Sequence, residues 1–422
     1  MKRLTTKFST LQLLSVDGYR PWLSYSVSEA YAGAVASFAV ILIAYDLSGS
    51  ATAAGGLETL RMFISYGLAL AGGLVVDSYD RRQLMLIRAA LSMAVWATIV
   101  ILALSSALSF LIFSVLACAS TVIGGLLGAA SESALRSLVS GENYVHARGI
   151  NEARDASSRI IGSPIAGFLH SFSHVSPFIF SSLGYLIALV AALRMPQLLP
   201  KPSTDEPEKR SKEGIVLQSV GGFRWLSKSR QMIALTVLAI VINVGVSLLM
   251  TTVTLLLLSR GVNTSLIGIV ITFEAVGVIL GSAFVGRLTK TIATGRLILI
   301  TNIASILCLT PIIFHQGLIL ISACFFLWGL TIPASNASLG GYLFQMVPID
   351  IQGRVVTAHT VLIGIPVAIT AVLAGKLVDV GGGVVGIGLG VLTACIALII
   401  LLSERSIIAI PLPSQWPQSP PK

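Results

Sequence analysis

The sequence predicts an all-α integral membrane protein with twelve transmembrane helices arranged as two six-helix halves. Its composition is the first observation behind this prediction: 55% of the 422 residues are hydrophobic and 11% are charged, whereas a soluble domain carries about 25% charged residues. The second observation is that the hydrophobic residues form long continuous runs without period-two alternation, which favours helices over a closed barrel. The third is a set of short segments that recur in the second half of the chain.

Each apolar run is close to the length of about 20 residues that crosses a bilayer as one helix. The fifth run is the least apolar, because it opens with Asn151, Glu152, Arg154 and Asp155. The expected limits of the runs are 22–45, 52–76, 84–104, 108–130, 146–171, 176–196, 231–257, 264–288, 294–314, 317–338, 355–378 and 383–403.

Lysine and arginine are distributed unevenly between the two predicted sides of the membrane. One side carries both termini and the basic run 201–230, whereas the other has little beyond Arg260 and Lys376. Since cytoplasmic loops carry an excess of positive charge, both termini are predicted to face the cytosol from a cytoplasmic (inner) membrane. This topology explains the net charge of +10 without a nucleic-acid partner. The expected partners are the lipid bilayer and a small-molecule substrate, and the protein is predicted to be a monomer.

One long hydrophilic segment divides the chain. Three prolines and a dense run of charges break regular structure between the two sets of six runs. The following stretch Ile215–Ser229 is amphipathic and is expected to lie at the cytosolic membrane surface as a tether. The predicted divisions are an N-terminal half 1–196, a cytosolic linker 197–230, a C-terminal half 231–403 and a cytosolic tail 404–422.

Three pairs of segments resemble each other between the halves. Parallel repeats related by an axis along the membrane normal would give this pattern, with a substrate site between the halves near the midplane. The pairs are Gly72–Asp80 with Gly281–Thr289, Ser137–Arg148 with Gln345–Arg354, and Ala166–Gly167 with Ala374–Gly375.

A short charged turn separates the second and third runs. It contains Asp77, Asp80, Arg81 and Arg82 between small and apolar residues, and Glu132 ends the fourth run close to the same level. One interpretation is a solvated loop whose positive charge sets the topology. The other is a gate that holds one conformation closed to the cytosol, with these five charged residues as its members.

This turn resembles the loop between the second and third helices of the major facilitator superfamily. The family pattern is roughly G-x-L-a-D-r-x-G-r-k, and Gly73, Asp77, Arg81 and Arg82 fall on its positions. Asp80 stands where the general pattern has glycine, which resembles the macrolide-efflux and enterobactin-exporter branch. Further segments similar to that branch are Asp46–Ser50, Gly222–Leu226, and Val347–Pro348 followed by Gly353–Arg354.

The resemblance implies a secondary active transporter that works by alternating access. Within this branch it implies export of an amphipathic small molecule, such as a macrolide-like drug or a siderophore, driven by proton antiport. An importer or a lipid flippase on the same fold is the first alternative. A membrane receptor or assembly partner that transports nothing is the second.

The fifth run contains a small-residue pattern that resembles the G-P-x-x-G motif of antiporters in the family. Its residues are Gly162, Pro164 and Gly167, with Ser163 in place of the glycine before proline. The pattern is either a directional signature or ordinary close packing of a kinked helix. The fourth run lacks the arginine that many drug–proton antiporters carry there, which weakens the case for proton coupling from the family alone.

Glu274 is the leading proton-coupling candidate. An ionisable side chain at the bilayer centre costs about 2.5–3.5 kcal/mol on insertion scales, so it is expected to face a cavity or a partner. Glu274 lies about ten residues into the eighth run, roughly 15 Å deep, with no basic residue near it in the sequence. Carboxyl groups in apolar surroundings can exchange protons near neutral pH. The alternative is a protonated acid that hydrogen-bonds to a neighbouring helix.

Other charges lie within the predicted runs. Glu29 and Glu58 are further proton-coupling candidates. Arg159 is expected at a depth similar to that of Glu29, so the two are predicted to form an ion pair, either structural or opened during transport. Glu58 and Arg61 are three residues apart and share a helix face. Asp155 is an ion-pair candidate nearer the interface.

Two asparagines are candidates for the substrate path, Asn243 in the seventh run and Asn336 in the tenth, although interhelical hydrogen bonds are the more common role of such residues.

The sequence lacks a P-loop, an H-E-x-x-H motif and a nucleophile elbow, so it predicts no enzyme. The five histidines are scattered and the four cysteines show no C-x-x-C spacing. No metal or cofactor is therefore predicted, and a proton gradient is the expected energy source.

Overall fold

A computed structural model describes residues 13–139, 142–197, 222–348 and 351–416, and all regular structure in these ranges is helical. The helices coincide with the predicted apolar runs. They are α1 Tyr19–Ser48, α2 Ala51–Ser78, α3 Arg81–Leu104, α4 in two segments Phe110–Leu127 and Ala129–Leu138, α5 Glu142–Phe172, α6 Ser176–Leu193, α7 Arg230–Ser259, α8 Thr264–Thr291, α9 in two segments Thr294–Leu309 and Pro311–Phe314, α10 in two segments Leu318–Gly329 and Ile332–Gln345, α11 Gln352–Asp379 and α12 Gly383–Ser403.

Ten helical spans among the described residues are long and apolar enough to cross a membrane. The helices α2 and α5 complete the set of twelve. The first half of α5 carries the polar residues that made the fifth run the least apolar. The predicted fold class, an all-helical integral membrane protein with twelve spans, is confirmed.

The chain forms two compact units. The first contains residues 1–47 and 64–203, and the second contains residues 48–63 and 204–422. The helix α2 therefore begins in the second unit and ends in the first. The predicted division into halves placed residues 48–63 with the N-terminal half, whereas they group with the second unit.

Asp379, the last residue of α11, holds the start of α2 within the second unit. The first backbone N–H groups of a helix have no partner inside it, and here Ala51 and Thr52 each donate to the Asp379 carboxylate over 2.8 Å. The Ser50 hydroxyl donates to the same carboxylate over 2.7 Å. A Cβ atom at Gly55 would overlap the carbonyl oxygen of Ala371, so glycine permits this close approach of α2 to α11.

The core of the first unit is built from aromatic and small residues. Tyr19, Trp22 and Tyr25 of α1 are fully buried, and Trp22 donates through Nε1 to the carbonyl of Ser131 over 2.8 Å. They pack with buried residues of α3, α4 and α6, including Met85 and the alanines 134 and 188. This core fixes the ends of the helices that surround the polar site described below.

The core of the second unit includes both of its flanking segments. Residues 222–226 are helical, and Trp225 and Leu226 are buried in this core. The part of the predicted surface tether that the structure describes thus packs into protein. The rest of the predicted linker, residues 198–221, lies outside the described residues.

The segment predicted as a cytosolic tail also packs onto the second unit. Ile407 and Ile410 are buried in its core. The carbonyls of Ile410 and Pro411 accept hydrogen bonds from the first N–H groups of α9, at Gly295 and Thr294. The tail therefore satisfies backbone donors that the start of α9 leaves without partners, which the polar and proline-rich end of the sequence did not suggest.

Candidate functional site

A buried ion pair lies at the centre of the first unit. It joins Glu29 of α1 to Arg88 of α3, and the exposed fractions of the two side chains are 10% and 15%. Arg88 is the only charged residue in the apolar run 84–104. Because an isolated charge in such surroundings is costly, each residue of the pair allows the other to remain ionised there.

Two tyrosines and one glycine complete the surroundings of this pair. Tyr25 is hydrogen-bonded to Glu29, and Tyr185 of α6 is hydrogen-bonded to Arg88. A Cβ atom at Gly128, between the two segments of α4, would lie 3.2 Å from the guanidinium Nη1 of Arg88. The break in α4 thus leaves room for the arginine.

A polar cavity of about 410 Å³ opens beside the pair within the first unit. It falls within the range of about 300–1,000 Å³ that is typical of ligand pockets. Residues of α1, α3, α4, α5 and α6 line it, and its charged side chains are three acids and three arginines. These are Glu29, Glu132, Asp155, Arg88, Arg154 and Arg159. Such a lining can bind a ligand that carries both charged and polar groups.

The structure corrects the predicted partner of Glu29. We expected Arg159, whereas Glu29 pairs with Arg88 and Arg159 is an exposed residue of the cavity wall. Asp155 pairs instead with its neighbour Arg154 over 2.6 Å. A signal for Arg88 was present in the sequence, since an arginine alone in an apolar run must find a partner.

The described members of the charged turn hold helix ends together within the first unit. Asp80 is buried and its side chain accepts a hydrogen bond from the Gln83 N–H over 3.1 Å, so it is the N-cap of α3. Arg81 donates to the hydroxyls of Ser133 and Ser137 on α4 over 2.7 and 2.9 Å. Arg82 donates to the last carbonyls of α6, where a cation is favoured by the helix dipole.

The two remaining members of the predicted gate are Asp77 and Glu132. The side chain of Asp77 lies outside the described residues, so the expected pairing of Asp77 with Arg81 stays a prediction. Glu132 forms an ion pair with Arg148 and accepts a hydrogen bond from the Asn151 amide over 2.5 Å. Glu132 therefore ties α4 to the polar first half of α5.

The cap role of Asp80 can be separated from a charge role by two substitutions. Replacing Asp80 with alanine removes the cap and is expected to cost about 0.5–2 kcal/mol of stability, whereas asparagine caps about as well as aspartate. We therefore expect Asp80→Ala to lower the thermal stability of the purified protein, and Asp80→Asn to match the wild type. Equal losses of stability in both variants would show that the charge of Asp80, not its cap, stabilises the turn.

The small-residue pattern of α5 lies against α1. A Cβ atom at Gly162 would approach that of Ala34 to 2.6 Å, so glycine is required for this close contact. Pro164 lies inside the helix, and Gly167, five residues after Gly162, is buried. The close packing read from the sequence is thus present, and a directional role of the pattern stays a prediction.

Glu274 lies at a close contact between α8 and α10 in the second unit. Its side chain is half-buried, and among the described residues no ion pair or hydrogen bond engages it. Cβ atoms at Gly277 and Gly329 would overlap backbone atoms of the facing helix. The backbone that carries Glu274 is therefore held firmly, while its carboxyl group keeps the capacity to bind a proton.

The remaining candidates also belong to the second unit. Glu58 and Arg61 form an ion pair of 2.7 Å on one face of α2. Asn243 donates to the Ala239 carbonyl of its own helix over 2.8 Å. Asn243 and Asn336 are exposed, and their place in a substrate path stays a prediction.

Comparisons with known proteins agree with this architecture. The family model described as "Major Facilitator Superfamily" matches residues 22–365. No curated protein sequence matches the chain. Solved structures share its fold at low sequence identity, and the first of three examples is the nucleoside transporter NupG, with a TM-score of 0.68, 14% identity, and coverage of 92% of this chain and 99% of that chain.

The second is a POT family transporter in complex with a thioalcohol conjugated peptide. It has a TM-score of 0.68 and 12% identity, and the match covers 94% of this chain and 100% of that chain. The third is a bacterial homologue of the iron transporter ferroportin in an inward-facing state. It has a TM-score of 0.70 and 12% identity, and the match covers 94% of this chain and 99% of that chain.

Proposed function

Since the chain belongs to the Major Facilitator Superfamily and is a multi-pass membrane transporter rather than an enzyme, we propose that it exports an amphipathic small molecule by proton antiport. The solved structures of similar fold belong to a nucleoside transporter, a POT family transporter in complex with a peptide conjugate and a bacterial homologue of an iron transporter, so their fold does not identify the cargo of this chain. The direction of transport rests on the resemblance of the Asp80–Arg82 segment to the efflux branch of the family.

The observation that carries the proposal is the Glu29–Arg88 pair beside the polar cavity. A proton that binds Glu29 neutralises its carboxylate and removes the attraction that holds Arg88. A cationic or polar group of a substrate in the cavity competes with this proton for the Glu29 carboxylate, so proton binding displaces the substrate, as antiport requires. Proton and substrate thus act on one pair of side chains, which couples their binding.

Glu274 and the charged turn have separate parts in this proposal. Glu274 is a second proton site, in the second unit, because its carboxyl group is half-buried and none of the described residues pairs with it. Asp77, Asp80, Arg81, Arg82 and Glu132 form the cytosolic gate. The described gate residues join the ends of α3, α4, α5 and α6, so a movement of one end is transmitted to the others. Rocking of the two halves gives alternating access.

Transport polarity in membrane vesicles tests the proposal. A radiolabelled macrolide and a catecholate siderophore are the two probes, each offered to everted and to right-side-out vesicles that contain the protein. We expect everted, energised vesicles to accumulate at least one probe, and a protonophore to abolish the accumulation. Glu29→Gln is expected to prevent it, whereas Glu152→Gln, which changes an exposed acid of α5, is expected to leave it intact.

The same assay separates the alternatives. Accumulation in right-side-out vesicles alone would identify an importer. The absence of flux for both probes in both orientations, from protein that is folded by its thermal transition, would argue for a receptor or assembly partner or for a different cargo. Accumulation that resists the protonophore would contradict proton antiport.

A further inference from the structure

Two histidines and an aspartate meet at the end of the first unit where α1 and α5 terminate. Asp46 lies near the end of α1, His170 in the last turn of α5 and His174 just beyond it. The Asp46 Oδ2 atom lies 2.9 Å from His170 Nε2 and 2.7 Å from His174 Nδ1, and the two nitrogens are 3.3 Å apart. This differs from the sequence prediction, which treated the histidines as scattered.

We propose that Asp46, His170 and His174 bind a zinc ion. Imidazole nitrogen and carboxylate oxygen are common zinc ligands, and H-x₃-H is a spacing that zinc sites use. The four-residue separation of His170 and His174 brings both rings to one side of α5 as it ends. Asp46 arrives from α1, so the ion would join the ends of two helices that are far apart in the sequence.

The distances fit tetrahedral zinc after a small adjustment. Zinc–nitrogen bonds of about 2.0–2.1 Å place neighbouring tetrahedral ligands about 3.3 Å apart, which is the separation of the two histidine nitrogens. The Asp46 oxygen lies closer to both nitrogens, at hydrogen-bonding distance. It would need to move by only about 0.5 Å to take the third position.

The surroundings provide access and a fourth position. A cavity of about 360 Å³ is lined by Asp46, His174 and Ser173, together with Ser106 of the loop after α3. His174 is 69% exposed, whereas His170 is 5% exposed. An ion can therefore enter from solvent past His174, and water in the cavity can supply the fourth ligand that an open zinc site retains.

The ligand types also disfavour magnesium and calcium at this site. Magnesium and calcium prefer sites built from oxygen ligands, whereas imidazole suits zinc, copper and nickel. We therefore expect magnesium not to compete with zinc at this position. The loss of an outer partner alone typically lowers metal affinity by about 10- to 100-fold, so the loss of a ligand is expected to lower it by at least about tenfold.

Zinc titration of the full-length protein in detergent, with any affinity tag removed, tests the proposal. Competition with a chromophoric zinc chelator should show one ion per chain, unaffected by excess magnesium. His174→Gln and Asp46→Asn are expected to weaken binding at least about tenfold. His315→Gln, which changes an exposed histidine after α9, should bind as the wild type does.

Two further measurements keep the test independent of transport. X-ray absorption at the zinc edge should show nitrogen or oxygen neighbours at about 2.0–2.1 Å, and zinc should raise the thermal transition of the wild type but not of His174→Gln. Because His174 is exposed, this variant is expected to fold normally. Equal affinity in the wild type, His174→Gln and Asp46→Asn, or no bound zinc in the wild type, would overturn the proposal.

Discussion

Arg88→Met is expected to cause a large loss of stability in the first unit. It leaves the Glu29 carboxylate buried without its partner, and breaking a buried ion pair costs about 3–5 kcal/mol. The adjacent cavity of about 410 Å³ admits water to Glu29, so we expect the lower end of this range. The measurement is the thermal or denaturant unfolding of the purified protein in detergent.

The double variant Glu29→Gln/Arg88→Met separates stability from function. Replacing both members of a buried pair by neutral residues of similar size is often close to neutral for stability, so the double variant should regain most of what Arg88→Met loses. Transport should not return, because neither a proton site nor a cation remains in the pair. Recovery of both stability and proton-coupled flux would show that the pair is only structural.

Arg159→Met is the matched control for these variants. It removes an arginine from the wall of the same cavity, but Arg159 is exposed and makes no ion pair with the described residues. Exposed charges contribute about 0–1 kcal/mol. A loss of stability in Arg159→Met as large as that in Arg88→Met would contradict the pairing of Glu29 with Arg88.

The membrane spans were predictable because a bilayer is crossed by long apolar helices, and such helices can be recognised from the local amino-acid composition. The Glu58–Arg61 pair was predictable for a similar reason, since it depends only on spacing within one helix. The ion-pair partner of Glu29 could not be predicted in this way. Depth along a helix follows from residue count, but the identity of the facing helix depends on packing that the chain order does not give.

The same limit explains the other features that the sequence did not reveal. The two histidines of the proposed zinc site are four residues apart, but Asp46 reaches them from another helix. Asp379 caps α2 across a separation of more than 300 residues. The burial of Ile407 and Ile410 depends on contacts with α9 and its neighbours. For this reason the sequence did not reveal that part of the predicted cytosolic tail packs into the core of the second unit.

Glu274→Gln is expected to abolish proton-driven transport while leaving the protein folded. Glutamine has the shape of glutamate and can form hydrogen bonds, but it cannot bind and release a proton. Glu274 has no ion-pair partner among the described residues, so its replacement should leave no charge uncompensated. The close contact of α8 with α10 depends on Gly277 and Gly329, and the substitution does not alter it. The variant should therefore unfold at the temperature of the wild type.

Two transport assays in proteoliposomes distinguish loss of coupling from loss of binding. Flux of a macrolide or siderophore probe driven by an imposed pH gradient should fall in Glu274→Gln to the level of empty liposomes. Exchange of labelled for unlabelled probe without a gradient should continue, because exchange requires the site and the conformational change but no net proton movement. Glu152→Gln, an exposed acid in the first unit, should support both activities. Gradient-driven flux that survives in Glu274→Gln would remove this residue from the proton pathway and leave Glu29, with its switchable partner Arg88, as the proton site of the first unit.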